Sequence, residues 1–315
     1  MFSLLGLYVL SLAAALVLIF RGPPPSTGKE TERKGLLLTI QEKDTVGWVS
    51  IRGAIYNSDS ARPWEKGAEQ WSRRIRQLSE TKGVRAIVLD INSPGGSVGA
   101  VQELHSQILR VRKEKKIPVI ALFDDVAASG GYYIAAACDK IIAHPGSLTG
   151  SIGVIFQAGN MEGLFNKIGV KVDAIKSGKH KDIGSPARPM TPEERKILQE
   201  LIDDAYKQFV AAVSAGRNLP EEQVRVLADG RIYSGHQALE AKLVDMLGDS
   251  TDALELAGKL GGIPGRPKIR RETDRFSEIF QLLDARFLGI LSGRALLSEL
   301  LPAARHGLEY RWDGF

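Results

Sequence analysis

The sequence predicts an α/β protein built on a largely parallel sheet with flanking helices. Three observations carry this. The runs Val84–Ile91 (VRAIVLDI) and Pro118–Phe123 (PVIALF) are short and almost unbroken in apolar residues, as in strands covered on both faces. Between them, Val101, Leu104, Ile108 and Val111 recur at helical spacing within Ser97–Lys113. Strand and helix then alternate along the chain, which favours parallel crossover units over hairpins. With 43% hydrophobic and 25% charged residues, the bulk of the 315-residue chain has the composition of a folded globular domain.

Taken in order, Phe2–Phe20 carries no charge. At about 1.5 Å per residue such a helix matches a hydrocarbon core of about 30 Å. Arg21 and the stretch Gly22-Pro23-Pro24-Pro25 stop it. A cleaved secretory signal would need a shorter apolar core and small residues at its end, whereas this run closes on Val17-Leu18-Ile19-Phe20, so an uncleaved anchor is expected. Residues 21–34 read as a polar linker, 35–262 as the globular domain, and 263–315 as an amphipathic tail of unknown role. Inside the domain, Val46–Tyr56 reads as a strand, Trp64–Thr81 as a helix, Ala128–Cys138 as a helix, and Lys140–Ala143 and Gly153–Phe156 as short strands. The Leu164 region and Val170–Ile175 add one more helix-strand step. A long helix from Thr191 to Ala215 opens on Thr191-Pro192-Glu193-Glu194, which supplies a cap, a first-turn proline and first-turn acids.

The net charge is +5, but the basic residues are dispersed, and no Lys/Arg run with interleaved aromatics points to nucleic acid. The one cysteine, Cys138, lies in an apolar run and reads as a small buried hydrophobe. No intrachain disulfide is possible, and no metal or organic cofactor is called for.

Three segments carry chemistry. Asn92-Ser93-Pro94-Gly95-Gly96-Ser97 follows a buried strand and precedes a helix; its glycines let the backbone approach a bound group and leave N–H donors free, although an ordinary βα turn looks the same. Neither a dinucleotide fingerprint nor a P-loop lysine accompanies it. Ala127-Ala128-Ser129-Gly130-Gly131 puts a serine at a strand-to-helix turn among small residues, with the Gly130 N–H beside it. Taken alone, Ser129 could equally be a helix N-cap. Lys176-Ser177-Gly178-Lys179-His180-Lys181-Asp182 reads first as a solvated loop; a lysine serves as general base only when uncharged, a state that burial favours. A triad of Ser129, His180 and Asp182 is the alternative, weakened because adjacent residues seldom act as base and orienter in one site.

In this order, Asn-Ser-Pro-Gly-Gly, Ala-Ala-Ser-Gly-Gly-Tyr-Tyr, Leu-Thr-Gly-Ser-Ile-Gly-Val and Lys-Ser-Gly-x-x-Lys-Asp resemble the short form of the bacterial signal peptide peptidase A family over about Gly47 to Leu260. The resemblance implies a membrane-anchored Ser–Lys endopeptidase with the fold of the caseinolytic protease and crotonase proteins. It implies Ser129 as nucleophile, Lys181 as general base, Ser151 as the residue orienting that lysine, and the N–H groups of Gly96 and Gly130 as the oxyanion hole. Activity rising toward alkaline pH follows. It further implies a homo-oligomer whose active sites are shared between subunits, with substrates that are signal-peptide remnants and other unstructured hydrophobic peptides. The family holds its catalytic domain on the outer side of the cell membrane; Arg21, Lys29, Arg33 and Lys34, which follow the apolar run, would by charge alone keep it inside. Three other readings compete: a related protease trimming a stomatin-like membrane partner, a crotonase-type acyl-CoA enzyme, and a non-catalytic scaffold. The crotonase reading is disfavoured because Tyr133 stands where that family often has a catalytic glutamate.

Overall fold

A computed structural model describes residues 44–57, 67–271 and 309–312. The expected anchor (2–20), the linker (21–34) and most of the tail (263–315) lie outside the described residues. Among those described, no helix is long and apolar enough to cross a membrane. The first half of the domain contains β1 (Thr45–Arg52), α1 (Ala68–Glu80), β2 (Val84–Ser93), β3 (Gly95–Ser97), α2 (Val98–Arg110), β4 (Val119–Ala128) and α3 (Gly130–Ala136). Then come β5 (Lys140–Ala143), β6 (Leu148–Gly150), α4 (Glu162–Lys167), α5 (Pro192–Arg217), α6 (Glu221–Leu227), β7 (Ile232–Ser234) and α7 (Gly235–Glu240). The described chain closes with β8 (Met246–Leu247), α8 (Ser250–Leu260), β9 (Lys268–Arg270) and β10 (Glu309–Arg311).

The main sheet has the order β7-β6-β4-β2-β1-β9, with β5 beside β4 and β8 beside β5. All of its pairs are parallel except β6–β7. The α/β class and the largely parallel sheet are thus as the sequence predicts. The near-continuous apolar strands are explained by cover on both faces. On one face Ile51, Ile87, Leu89, Val119 and Phe123 pack with Trp71, Ile75, Leu104, Tyr132 and Phe209. On the other, Val46, Trp48, Val88, Ile120 and Leu122 meet Ala253 and Ala257 of α8. Burying each such large side chain contributes about 1.5–3 kcal/mol before entropy is counted. Cys138 belongs to the first of these clusters at 2% exposure, and burial pushes its thiol well above the usual range, as a structural residue requires.

The sequence-derived boundaries hold where local chemistry fixes them. At the start of α5, Thr191 Oγ1 accepts from the Glu194 N–H (3.2 Å) and Glu194 Oε2 accepts from the Thr191 N–H (2.9 Å), with Pro192 opening the helix. Elsewhere the structure corrects them. Gly53, at φ +78°, turns the chain out after β1, so the strand ends at Arg52 rather than Tyr56. The described part of the first helix begins at Ala68, and residues 58–66 lie outside the described residues. Gly153–Phe156 is not a strand; Ile155 alone forms an isolated bridge. The parallel neighbour at that edge is β6, which pairs Leu148–Gly150 with Val126–Ala128. Val170–Ile175 is also not a strand: Val170, Val172 and Ile175 are exposed, with no sheet edge beside them to bury an alternating pattern.

Candidate active site

The site forms where β4 ends. β4 runs through Ala128, so the expected helix over 128–138 starts only at Gly130. Ser129 occupies the junction at φ 52°, ψ −117°, a backbone conformation that side-chain-bearing residues rarely adopt. Two backbone bonds hold it there. Its N–H donates to Gly150 O (2.8 Å) and its carbonyl accepts from the Tyr133 N–H (2.9 Å). Its side chain caps nothing: Oγ is buried and has no hydrogen-bond partner among the described residues. That excludes the N-cap reading. A buried hydroxyl without a partner is costly, so this one is available for something other than structure.

Ser151 lies beside it. The parallel register Ala128↔Gly150 puts the ends of β4 and β6 side by side, and Ser151 follows at φ 48°, 8% exposed, its N–H donating to Arg231 O (2.8 Å). Thr149 Oγ1 donates to Ala127 O (2.7 Å) and locks the two strand ends together.

The glycine turn approaches from the other flank. Gly95 has φ +97°, and a Cβ there would run into Tyr310 O and lie 2.6 Å from Gly130 N. At Gly96 a Cβ would lie 2.5 Å from Ile55 C, because β3 is sandwiched against Ile55: the Ile55 N–H donates to Gly95 O (2.8 Å) and the Ser97 N–H donates to Ile55 O (3.0 Å). Gly130 is the first residue of α3, so its N–H has no partner within the helix. Ser129, Gly130, Ser151 and the Gly95-Gly96 turn are thereby brought to one corner at the strand ends. Sequence reasoning missed two participants. Buried Ser93 accepts the Gly95 N–H on Oγ (3.1 Å) and shapes the turn, a role its place before Pro94 does not reveal. Tyr310 comes from the unmatched tail and carries no local signal.

Lys181 is in a different setting. Its side chain is exposed, its N–H donates to Gly178 O (3.2 Å), and no residue from 153 to 193 is buried. Nearby groups form a network of their own. Asp182 accepts from Lys176 (2.6 Å) and Arg188 (2.8 Å), which hold its carboxyl well below the usual range, Arg188 foremost. Arg188 also donates to both oxygens of Glu194 (2.6 and 2.9 Å) and keeps that carboxyl at about 2. His180 Nε2 lies 3.3 Å from Glu193 Oε1. Within one chain the triad alternative is not assembled: Asp182 is engaged by Lys176 and Arg188, His180 lies against Glu193, and Ser129 Oγ has no partner among the described residues. The single chain does not join Lys181 to Ser129 either, because Ser129 Oγ has no partner. Among the described residues no cluster of His, Cys, Asp or Glu is arranged to hold a metal ion.

Comparison with known proteins extends this picture. A sequence profile described as peptidase family S49 matches residues 111–263. A protein named as a protease in Synechocystis sp. is 45% identical over 216 residues, covering 65% of this chain and 77% of its own length. A protein of Enterococcus faecium named for signal peptide peptidase SppA is 40% identical over 212 residues, covering 66% of this chain; the chain spans 61% of that relative. Among solved structures, a ClpP1 mutant from Listeria monocytogenes is similar with a TM-score of 0.44 and 20% identity, over 68% of this chain and 96% of that one.

Proposed function

The chain belongs to peptidase family S49 and is a serine-type endopeptidase, and from that premise we propose that Ser129 is its nucleophile and Lys181 its general base. Ser151 orients the lysine, and the N–H groups of Gly96 and Gly130 receive the oxyanion. The observation that carries this is Ser129 itself, a buried, unpartnered hydroxyl on a rare backbone conformation beside Gly130 and the Gly95-Gly96 turn. Strain kept at a position that no side-chain bond rewards is the mark of a functional residue.

The chemistry then runs as follows. Ser129 Oγ attacks the peptide carbonyl as uncharged Lys181 takes its proton. Two N–H donors stabilise the negative oxygen, and removing one such donor typically costs about 3 kcal/mol. The lysine passes the proton to the leaving amine, and a water releases the acyl group from Ser129.

Lys181 reaches Ser129 from a neighbouring copy of the chain. Two features support this. The segment that carries Lys181 is exposed, and it displays Met161, Leu164, Ile168, Val172 and Ile175 to solvent at 44 to 105% exposure, an apolar surface of the kind that subunits cover. The oligomer would have the caseinolytic-protease type of fold, with residues 2–20 as a single membrane span and the catalytic domain on the outer face. Its substrates would be signal-peptide remnants and other unstructured hydrophobic peptides, bound extended. The acyl-CoA reading lacks its carboxylate, for Tyr133 packs in an aromatic cluster instead.

The test is labelling by a serine-directed fluorophosphonate together with hydrolysis of unstructured peptides. Wild-type protein is expected to label and to hydrolyse. Ser129→Ala should do neither, and a wild-type chain that does not label would sink the proposal and favour a scaffold. Protease protection in spheroplasts tests the orientation: the outer-side reading requires the domain to be digested from outside.

A further inference from the structure

The two poles of the parallel sheet differ in charge. At the strand ends, Asp90 and Asp124 share Arg52, which donates to Asp90 (2.6 Å) and to Asp124, and Asp125 accepts from Asn92 (3.3 Å). At the other pole β1, β2, β4, β5 and β9 begin side by side, and the turns that feed them are basic. Lys82 lies in the turn into β2, Lys113, Lys115 and Lys116 in the turn into β4, and Lys259, Arg266 and Lys268 around the turn into β9; all are exposed. Among the described residues none of these seven has an ion-pair partner, whereas Arg85 and Arg112 at the same pole are held by Asp44 (2.9 Å) and Asp139 (2.6 Å). A helix C-terminus favours a cation, which accounts for Lys259 in the last turn of α8 but not for Arg266 or Lys268. Leu260 and Ile269 stand exposed beside them, at 41 and 42%. Cations mixed with exposed apolar side chains suit a surface that rests on lipid headgroups.

The same pole holds a groove of about 280 Å³ where α1 and α2 end. Arg76, Arg110 and Lys115 line it together with Glu80 and Glu114. Three cations less two carboxylates leave a charge of +1, the complement of one phosphodiester rather than of a multiply charged anion. Arg110 is steadied by the buried Gln107 (3.2 Å). The chain leaves α2 through a π turn, Val111–Lys115, and Lys116 follows in a left-handed conformation at φ 53°. Both features are rare in helices and their ends, and they cluster at functional positions. Because β1 starts here, residues 1–43 join the domain at this pole.

We propose that the strand-start pole lies on an anionic bilayer surface, with the phosphodiester of a lipid headgroup in the groove between α1 and α2. The proposal takes from the preceding section the reading of residues 2–20 as a span that brings the domain to a bilayer; the charged face itself does not require the span. The ten residues of β4, at about 3.3 Å each, then carry Ser129 to about 30 Å from the lipid. Peptides are therefore cut after they leave the bilayer, not within it.

Full-length protein is bound to phosphatidylcholine vesicles with and without about one-third phosphatidylglycerol, recovered by flotation and compared by amide hydrogen exchange. The anionic lipid should slow exchange in 80–84, 110–117 and 261–268 by at least about threefold, leave the strand end at 124–129 unchanged, and lose its effect at about 0.5 M salt. Lys113→Glu with Lys115→Glu should erase the difference at 110–117. Lys196→Glu with Lys207→Glu, the same change of charge on α5, should keep it. All four side chains are exposed, so both pairs should melt as the wild type does. Equal exchange on the two lipids, or protection that follows protein concentration instead of lipid charge, as a contact between copies would give, overturns the inference and leaves the span intact. Protein that floats only with phosphatidylglycerol keeps the basic face and loses the span; protein that floats with neither vesicle loses both.

Discussion

The turn at Ser129 is buried and tied by its backbone to two parallel strands, whereas the segment that carries Lys181 has no buried residue from 153 to 193. One half of the proposed catalytic pair is therefore made by the domain core. The other is carried on a surface segment held by its own ion pairs, and in the proposed function it meets the first half across a subunit contact. The core half is pre-organised at the cost of strain. Under the proposed function, the surface half depends on assembly.

The sharpest way to break that contrast is genetic. Ser129→Ala and Lys181→Ala should each lower turnover by at least about 10⁴-fold with the fold intact. Mixed in equal amounts, the two inactive variants should regain roughly a quarter of the wild-type rate if each site draws its serine and its lysine from different copies. A mixture that stays inactive would put both residues in one chain.

The next effect is on the core half alone. Gly96→Ala would bring a Cβ to 2.5 Å from Ile55 C and 2.7 Å from Ile55 N, backbone atoms that cannot swing aside. Loss of about 1–3 kcal/mol of stability is expected in a denaturant titration, along with loss of activity.

On the surface half, Arg188→Ala removes the shared partner of Asp182 and Glu194. Activity should fall about tenfold as Lys181 loses its positioning, while the global melting temperature stays nearly fixed and proteolytic nicking appears between 157 and 190. Acid should do the same. Glu194 has its pKa lowered from 4.5 to about 2, so the bond to Arg188 is fully present above pH 4.5 and is lost as pH falls through about 2. Nicking that is independent of pH across that window would show that the network does not hold the segment.

The smallest effect concerns His105, stacked edge-on with Tyr133 at 4.8 Å behind the site. Burial, with Arg112 nearby, lowers its pKa from 6.5 to about 4, so it is neutral in the fold while the unfolded chain takes up a proton. Stability should therefore decline as pH drops from 6.5 to 4, at no more than about 1.4 kcal/mol per pH unit from this group. The decline should flatten in His105→Gln, read from urea midpoints at pH 7 and pH 5.

Much of this was legible in the sequence because its causes are local. Ile87, Leu89 and Val88 announce a strand covered on both faces by continuous apolar character, and the Thr191-Pro192-Glu193-Glu194 start of α5 is written in adjacent residues. Ser129 and its glycines were recognisable as a turn between strand and helix. Val170–Ile175 forms no strand because an alternating pattern states only that a face wants cover, and none of the described strands pairs with this segment.

By itself, then, the sequence determined the parallel α/β sheet, the cap of α5 and the turn that offers Ser129, since each depends on residues a few positions apart. The tertiary structure alone decided the unpartnered state of the Ser129 hydroxyl, the separation of Lys181 from it, and the seating of Tyr310 against Gly96, Tyr133 and Phe209. Those depend on which distant backbones meet, and periodicity along a chain carries no record of pairings between residues hundreds of positions apart.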